Sequence, residues 1–367
     1  MTDTSADPTR CETPIGYLDL DRVRANARRV ASYAAEHGLT WRPHIKTHKS
    51  REVARLQLAA GAAGLTVATP REAEVMAPLT DDLLLAYPPV GEARIRRLVQ
   101  LPESARLTVA LDDEAVLTPL ARTFHAAGRS VEVLVELDAG LGRVGLPDAR
   151  AVTALAREVA ARDGARFRGI LFYPGHVRMP QEEQGPHLEQ VARRVRSVLE
   201  ALDAATLPPE VVSGGSTPTL WQSHRIPGMT EIRSGSCIFF DREAVDVGVA
   251  ATSDLAYTVL TTVVSTAVAG RAVVDAGSKA LAKEVRGPGG FGFVLEHPEV
   301  QVAGLSEEHG VLDLGASEWR PSIGDRVRLV PNHVCVSVNL QDRLLGRDGG
   351  AHRWIALEGR GRGPWSG

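Results

Sequence analysis

The sequence predicts an α/β protein, a closed (β/α)8 barrel of the TIM type followed by a C-terminal β domain. Three observations carry this. From residue 20 to about residue 245, short apolar runs alternate with Ala-, Arg- and Glu-rich segments whose apolar residues recur at three and four. The runs number eight. Beyond residue 245 the texture changes to β-branched, turn-punctuated runs with no long helix between them. A chain of 367 residues holds a barrel of about 250 residues and a smaller second unit.

In chain order, the spacing predicts strands near 41–46, 64–68, 83–87, 107–111, 131–137, 168–173, 209–213 and 230–233. Helical segments such as Leu20 to His37 and Pro180 to Ala204 separate them. Strands joined through helices imply parallel βαβ units, and eight of these fit a closed barrel better than an open sheet. The runs Tyr257 to Val268, Arg271 to Asp275 and Asp325 to Val330 read as the β domain, with a glycine-rich loop from Gly287 to Gly292. The expected divisions are a barrel over 15–245, a β domain over 246–358 with which residues 1–14 pair, and a flexible tail over 359–367.

Composition narrows the function. The 42 Lys plus Arg are balanced by 45 Asp plus Glu, giving a net charge of −3 and no basic field, which argues against a nucleic-acid partner. Three scattered cysteines, Cys11, Cys237 and Cys335, are too few for a disulfide framework. A reducing compartment with free or metal-bound thiols is the expectation. The first eighteen residues are polar and proline-interrupted, and no run of eighteen apolar residues occurs, so a cytoplasmic protein without a membrane span is expected.

The segment Trp41-Arg42-Pro43-His44-Ile45-Lys46-Thr47-His48-Lys49 ends the first barrel strand. Alternation puts Arg42, His44 and Lys46 on one face. Three basic groups facing a barrel interior repel one another unless carboxylates or an anionic ligand compensate them. A crowded lysine also loses proton affinity, the condition for a Schiff-base amine. A solvated basic strand end is the competing account. Val212-Ser213-Gly214-Gly215-Ser216-Thr217-Pro218-Thr219 follows the seventh strand, and Glu231-Ile232-Arg233-Ser234-Gly235-Ser236-Cys237 the eighth. Glycines let the backbone approach a ligand, and barrels commonly bind phosphate in these two loops.

Gly140-Leu141-Gly142-Arg143-Val144-Gly145 matches the dinucleotide pattern G-x-G-x-x-G after the fifth strand. A dinucleotide site would leave the basic first strand and both phosphate-type loops unexplained, so the match reads as a decoy. Arg143 instead suits a cofactor ring or a carboxylate at the barrel mouth. Tyr173, in Tyr173-Pro174-Gly175-His176, closes the sixth strand and suits stacking on a cofactor or a core position. In the β domain, Pro331-Asn332-His333-Val334-Cys335-Val336-Ser337-Val338-Asn339 alternates cleanly. As a strand it would set His333, Cys335, Ser337 and Asn339 on one face and the three valines on the other. Imidazole and thiol on one face suit zinc with open positions. A half-buried strand with a free cysteine is the plain alternative.

These segments together resemble the fold-type III pyridoxal-phosphate enzymes, with an alanine racemase-like barrel and a D-serine dehydratase-like C-terminal domain. The group includes D-serine dehydratases, D-threonine aldolases and 3-hydroxy-D-aspartate lyases. The resemblance spans about 13–358, most specifically in Arg42 to Lys49 and Pro331 to Cys335, with Asp275-Ala276-Gly277-Ser278-Lys279 in support. It implies that Lys46, not Lys49, carries pyridoxal 5'-phosphate, that Arg143 contacts the pyridine nitrogen and that Tyr173 lines the ring. Ser213, Gly214, Gly215, Ser216, Gly235 and Ser236 would hold the phosphate. His333 and Cys335 would bind a divalent metal, zinc first with manganese or magnesium as alternatives. Cys237 departs from the pattern, standing where the family often has a tyrosine beside the phosphate.

The activity implied is β-elimination from a β-hydroxy-D-amino acid to a 2-oxo acid and ammonia, with Lys46 as general base and the metal on His333 and Cys335 acting on the β-hydroxyl. Retro-aldol cleavage to glycine and an aldehyde is the alternative. D-threonine aldolases usually place Asp where Cys335 stands, which favours the dehydratase. A racemase would need a second acid/base group in place of the metal pair, and a non-catalytic carrier of the cofactor would lack the β domain. A homodimer, each β domain completing the neighbour's barrel mouth, is a further implication.

Overall fold

The computed structural model describes residues 7–285 and 289–367. The chain forms two compact units whose boundary falls inside the first helix, Leu20–Glu36. One unit takes the chain up to Ala27 together with Ser236–Leu357. The other takes Arg28–Gly235 together with Glu358–Gly367. The first strand, β1 (Ile15–Asp19), thus belongs with the β unit, as does the stretch from Ser236 to Val245 that the sequence assigns to the barrel.

The barrel unit is built on β2 (Thr40–Trp41), β3 (Leu65–Val67), β4 (Asp82–Leu85), β5 (Arg106–Leu111), β6 (Val131–Leu137), β7 (Ala165–Phe172), β8 (Val211–Gly214) and β9 (Glu231–Ile232). Strands stand at all eight predicted places, but the first, expected over 41–46, ends at Trp41, and Ile45–Thr47 is a 3₁₀ turn. The strands pair in parallel in the order β2-β9-β8-β7-β6-β5-β4-β3. A parallel bridge between His44 and Thr66 joins the two edges, supported by the Thr66 amide donating to Pro43 and its hydroxyl donating to the Arg42 carbonyl at 2.9 Å. Near-continuous apolar runs such as Leu107 to Leu111 and Val133 to Leu137 are buried, as parallel strands covered on both faces require. Intervening helices start where a side chain replaces the missing amide partner: Thr69 caps Pro70–Met76 with proline at the first turn, and Asp113 and Asp148 cap Glu114–Ala126 and Ala149–Ala160.

The basic face predicted for Arg42, His44 and Lys46 divides in the folded chain. Arg42 is buried and compensated by carboxylates: it forks onto Asp82 at 2.7 and 2.9 Å, and its Nε donates to Glu231 at 2.9 Å. Burial alone would raise Asp82, yet the Arg42 guanidinium holds it below its ordinary value. Asp82 also meets Arg106 at 2.7 Å, and Glu231 accepts from the Ser213 hydroxyl at 2.7 Å. The first basic residue of the motif therefore ties strands together. Arg42→Met removes the main counter-charge of two buried carboxylates, so equilibrium urea unfolding at neutral pH should show a loss of about 3–5 kcal/mol. A loss below about 1 kcal/mol would mean that Arg106 takes over the pairing.

The other unit adds β10 (Tyr257–Ser265), β11 (Arg271–Val274), β12 (Gly292–Val294), β13 (His297–Leu305), β14 (Gly310–Asp313), β15 (Arg326–Pro331), β16 (Arg343–Asp348) and β17 (Ala351–Ala356). Six of these run in the order β11-β14-β13-β12-β15-β10, and an antiparallel β10–β11 pairing closes the ring. β1 extends the sheet from β10 and pairs in parallel with β16, which carries β17. Of the predicted loop from Gly287 to Gly292, Gly287 and Pro288 lie outside the described residues, and Gly292 opens β12.

The segment predicted as a strand after Pro331 is the α-helix Val334–Leu340, with His333 extended at its N-cap. Val334 and Val338, one helical turn apart, are buried while Val336 stands 37% exposed, so the three valines do not share a face. The Ser337 hydroxyl completes the inward face by donating to the Ala280 carbonyl at 2.7 Å. The C-terminal segment, expected to be a flexible tail, makes contacts within the barrel unit. Trp365 lies 4.6 Å from the Arg71 guanidinium and 5.2 Å from that of Arg51, and its amide donates to Glu74. Arg97 and Arg71 take the carbonyls of Arg362 and Pro364 at 2.7 Å each.

Candidate active site

The lysine segment leaves β2 and turns into a single 3₁₀ turn, Ile45–Thr47. Ile45 and Thr47 are buried and Lys46 between them is exposed. The neutral His44 ring caps the turn, its Nδ1 accepting from the Lys46 amide at 3.4 Å. Burial, reinforced by Lys46 and Arg233, holds His44 well below the usual imidazole range, so the cap stays an acceptor. Lys49 adopts φ 53°, and its amine lies 3.7 Å from the buried Glu72. The two lysines are thereby distinguished: Lys49 pairs with a carboxylate, whereas the Lys46 amine lies 6.0 Å from the Tyr173 ring centre. The Arg143 guanidinium is 5.0 Å from the same ring. Lys46, Arg143 and Tyr173 follow β2, β6 and β7 at the carboxyl ends of the strands, where barrel enzymes place their chemistry.

Two charged residues that the sequence reading passed over sit in the same place. Arg233 is buried and donates to the Phe172 carbonyl at 2.6 Å, while its Nε has no partner among the described residues. Burial lowers its guanidinium despite Glu136 and Glu231 nearby. Glu136 is pushed up to about 7 by burial, with Arg233 and Arg143 opposing the shift. Their location at strand ends was the available signal, since charge there needs either a partner or a ligand.

The two glycine loops are bonded into one cradle. The Arg233 amide donates to Gly214, and the Ser234 hydroxyl donates to the Ser216 carbonyl at 2.9 Å. A Cβ at Gly214 would meet the Phe172 ring at 2.2 Å, one at Gly235 would meet the His44 carbonyl oxygen at 2.2 Å, and Gly215 has φ +86°. Only glycine fits these close approaches. Gly235 therefore seats the phosphate-type loop directly on the lysine turn. The Ser213 hydroxyl is engaged by Glu231 and that of Ser216 by Thr219, so their backbones are what the cradle offers. Ser236 follows Gly235 in the chain and opens the other unit. Cys237, next to it, is buried, and burial pushes its thiol up, leaving it a neutral core group.

The G-x-G-x-x-G match lacks the geometry of a dinucleotide site. Asp138 accepts from the amides of Gly140 and Gly142 at 2.9 and 3.0 Å, and the next helix starts only at Ala149. No glycine of the motif opens a helix, which is what a pyrophosphate would need.

In the β unit, His333 Nδ1 lies 3.0 Å from Asp241 and 3.8 Å from Glu243. Cys335 lies close enough to the same ring to act on it electrostatically. Burial pulls the His333 imidazolium down, but Cys335 and Asp241 outweigh it and push it up to about 12. A cluster that negative favours a cation. Asp241, Glu243 and His333 offer ligand atoms within 4.8 Å of one another, and imidazole with thiol suits a borderline divalent ion. Both carboxylates were missed from sequence, because Asp241 precedes His333 by 92 positions with no motif to link them.

Residues 18–243 match the alanine racemase N-terminal domain, and residues 256–346 match the serine dehydratase domain. The D-threo-3-hydroxyaspartate dehydratase of Delftia sp. (strain HT23) is 35% identical, over 95% of this chain and 98% of that one. The D-threonine aldolase of an Arthrobacter species is 33% identical, over 94% and 91% of the two chains. The crystal structure of D-threonine aldolase from Filomicrobium marinum matches with a TM-score of 0.90 at 30% identity, covering 97% of this chain and 98% of that one. The fold and these relatives define a fold-type III enzyme of the pyridoxal-phosphate-dependent lyase class. The chain belongs to the family that joins an alanine racemase N-terminal domain to a serine dehydratase domain.

The described residues fit both groups. An exposed lysine on a rigid turn, a glycine cradle and the orphaned Arg233 Nε suit pyridoxal phosphate. The imidazole and thiol of the β unit suit a divalent metal.

Proposed function

We propose that this lyase acts on β-hydroxy-D-amino acids and removes the β-hydroxyl, yielding a 2-oxo acid and ammonia. The observation that carries the elimination reading is the Cys335 sulfur beside the His333 imidazole. D-threo-3-hydroxyaspartate dehydratase has been solved with a histidine and with a cysteine two positions later each replaced by alanine, the cysteine variant in a metal-free form. His333 and Cys335 share that spacing.

When bound, pyridoxal phosphate supplies an electron sink at the substrate α-carbon, and a divalent ion on His333 and Cys335 supplies Lewis acidity for loss of the β-oxygen. This chain's residues do the rest. The Lys46 amine holds the cofactor and takes the α-proton as general base. Gly214, Gly215, Ser216 and Gly235 hold the phosphate through their backbones, with Ser213 beneath them and Ser236 following. Tyr173 lines the ring. Arg143, exposed over Tyr173, offers a guanidinium to the pyridine nitrogen or to the substrate carboxylate, and the buried Arg233 offers its unpartnered Nε to the ring.

Product analysis tests the reading. With D-serine, D-threonine and D-threo-3-hydroxyaspartate, elimination should release one ammonia for each 2-oxo acid formed. Glycine with an aldehyde as the main products would replace it by retro-aldol cleavage, the reaction named for the Filomicrobium neighbour. A cytoplasmic homodimer completes the proposal, supported by three cysteines that form no disulfide among the described residues and by the family resemblance. Among the described residues no helix is long and apolar enough to cross a membrane.

A further inference from the structure

Asp241 is buried, with 3% of its surface exposed, at the head of the short helix Arg242–Asp246. Its Oδ1 accepts from the Ala244 amide at 3.1 Å and closes that helix's first turn. Its Oδ2 accepts from the Val334 amide at 3.0 Å and lies 3.0 Å from His333 Nδ1. Both lone-pair directions of this oxygen are thus taken, and a cation on it would displace a donor. His333 makes no capping bond of its own, so Asp241 supplies the cap for Val334–Leu340 from outside that helix. The segment is anchored on its other side as well: Asn332 donates to the carbonyls of Glu284 and Gly290 at 2.7 and 2.8 Å.

A carboxylate accepts a hydrogen bond only from the ring nitrogen that carries the proton, which fixes the tautomer of the histidine facing it. We infer that Asp241 is a positioning residue and not a metal ligand: it holds the His333 ring with Nδ1 protonated, leaving Nε2 to a divalent cation alongside the Cys335 sulfur. Glu243, at 3.8 Å from Nδ1, is beyond hydrogen-bond distance and does not share this work. The inference rests on the metal reading above and adds to it a residue that sets the ring.

The experiment is a Co²⁺ titration of cofactor-loaded enzyme stripped of metal by chelation, followed through the thiolate-to-cobalt absorbance. Wild type should give a saturable band that Cys335→Ala lacks. Asp241→Asn removes the charge and leaves one of three donors without its acceptor. It should weaken Co²⁺ binding roughly 10- to 100-fold, with the band at saturation unmoved and the cofactor absorbance intact. If the Asn variant does not fold, Asp241→Ser, which keeps a capping oxygen, is read in the same way. A purely structural role would lower the melting temperature and leave cobalt affinity alone. Affinity within about threefold of wild type overturns the inference, since orienting partners of metal-bound histidines cost more than that when lost. A band altered at saturation overturns it too, by making Asp241 a ligand. Absence of the band in wild type would refute the metal reading itself and this inference with it.

Discussion

Replacing Lys46 by alanine is expected to abolish turnover, by at least ~10⁴-fold, because one change removes both the covalent hold on the cofactor and the general base. The visible absorbance of the lysine-bound cofactor should vanish with it. The fold should survive. Lys46 is the exposed residue of a turn whose rigidity comes from its neighbours: Ile45 and Thr47 are buried, His44 caps the turn, and Gly235 packs on the His44 carbonyl. Far-ultraviolet circular dichroism should stay at wild-type values, and the urea midpoint should match that of wild type stripped of its cofactor, since a ligand bound to the native state adds its own stabilisation. Lys49→Ala is the internal control, since its amine pairs with Glu72 and its loss should leave the absorbance in place. An unchanged spectrum in Lys46→Ala would place the cofactor on another amine.

Cys335→Ala should lower lyase turnover by ~10³-fold or more, on the ground that a metal acting as Lewis acid on the leaving group contributes several kcal/mol and each 1.36 kcal/mol is tenfold. The cofactor absorbance should persist, because Cys335 is not among the residues proposed to hold the cofactor. Structural damage is not expected. Cys335 is only half-buried, it lies in the first turn of Val334–Leu340, and alanine is a strong helix former. Chelation of the wild type with EDTA should reproduce the loss, and added Zn²⁺ or Mn²⁺ should restore the wild type but not the variant. Full activity of Cys335→Ala after EDTA treatment would remove the metal from the mechanism.

Barrel strands, lysine motif and glycine loops were legible because their signals are local. A buried parallel strand needs a short apolar run, and a loop that touches another backbone at 2.2 Å from a virtual Cβ needs glycine. The segment after Pro331 shows how local signals mislead. Alternating valines have strand propensity, but Asp241 caps the Val334 amide, and burial of Val334 and Val338 on one helical face outweighs it. The dinucleotide-like glycines show the converse: the pattern is present, yet Asp138 claims two of the amides that a phosphate would need. The polar C-terminal segment reads as a loose end until Arg51, Arg71, Arg97 and Glu74 of the barrel unit hold it.

The eight barrel strands, the β-rich second unit and the place of Lys46 just beyond the first strand could be read along the chain, because periodicity and residue type act over neighbouring positions. It took the folded chain to show that Arg42 ties strands while Lys46 stands exposed, that the Arg233 Nε finds no partner among the described residues, and that Asp241 meets His333. Those outcomes depend on which charges are brought together in a low-dielectric interior by chain segments far apart in sequence. Pairing there sets the energy of each group, and spacing along the chain carries no record of it.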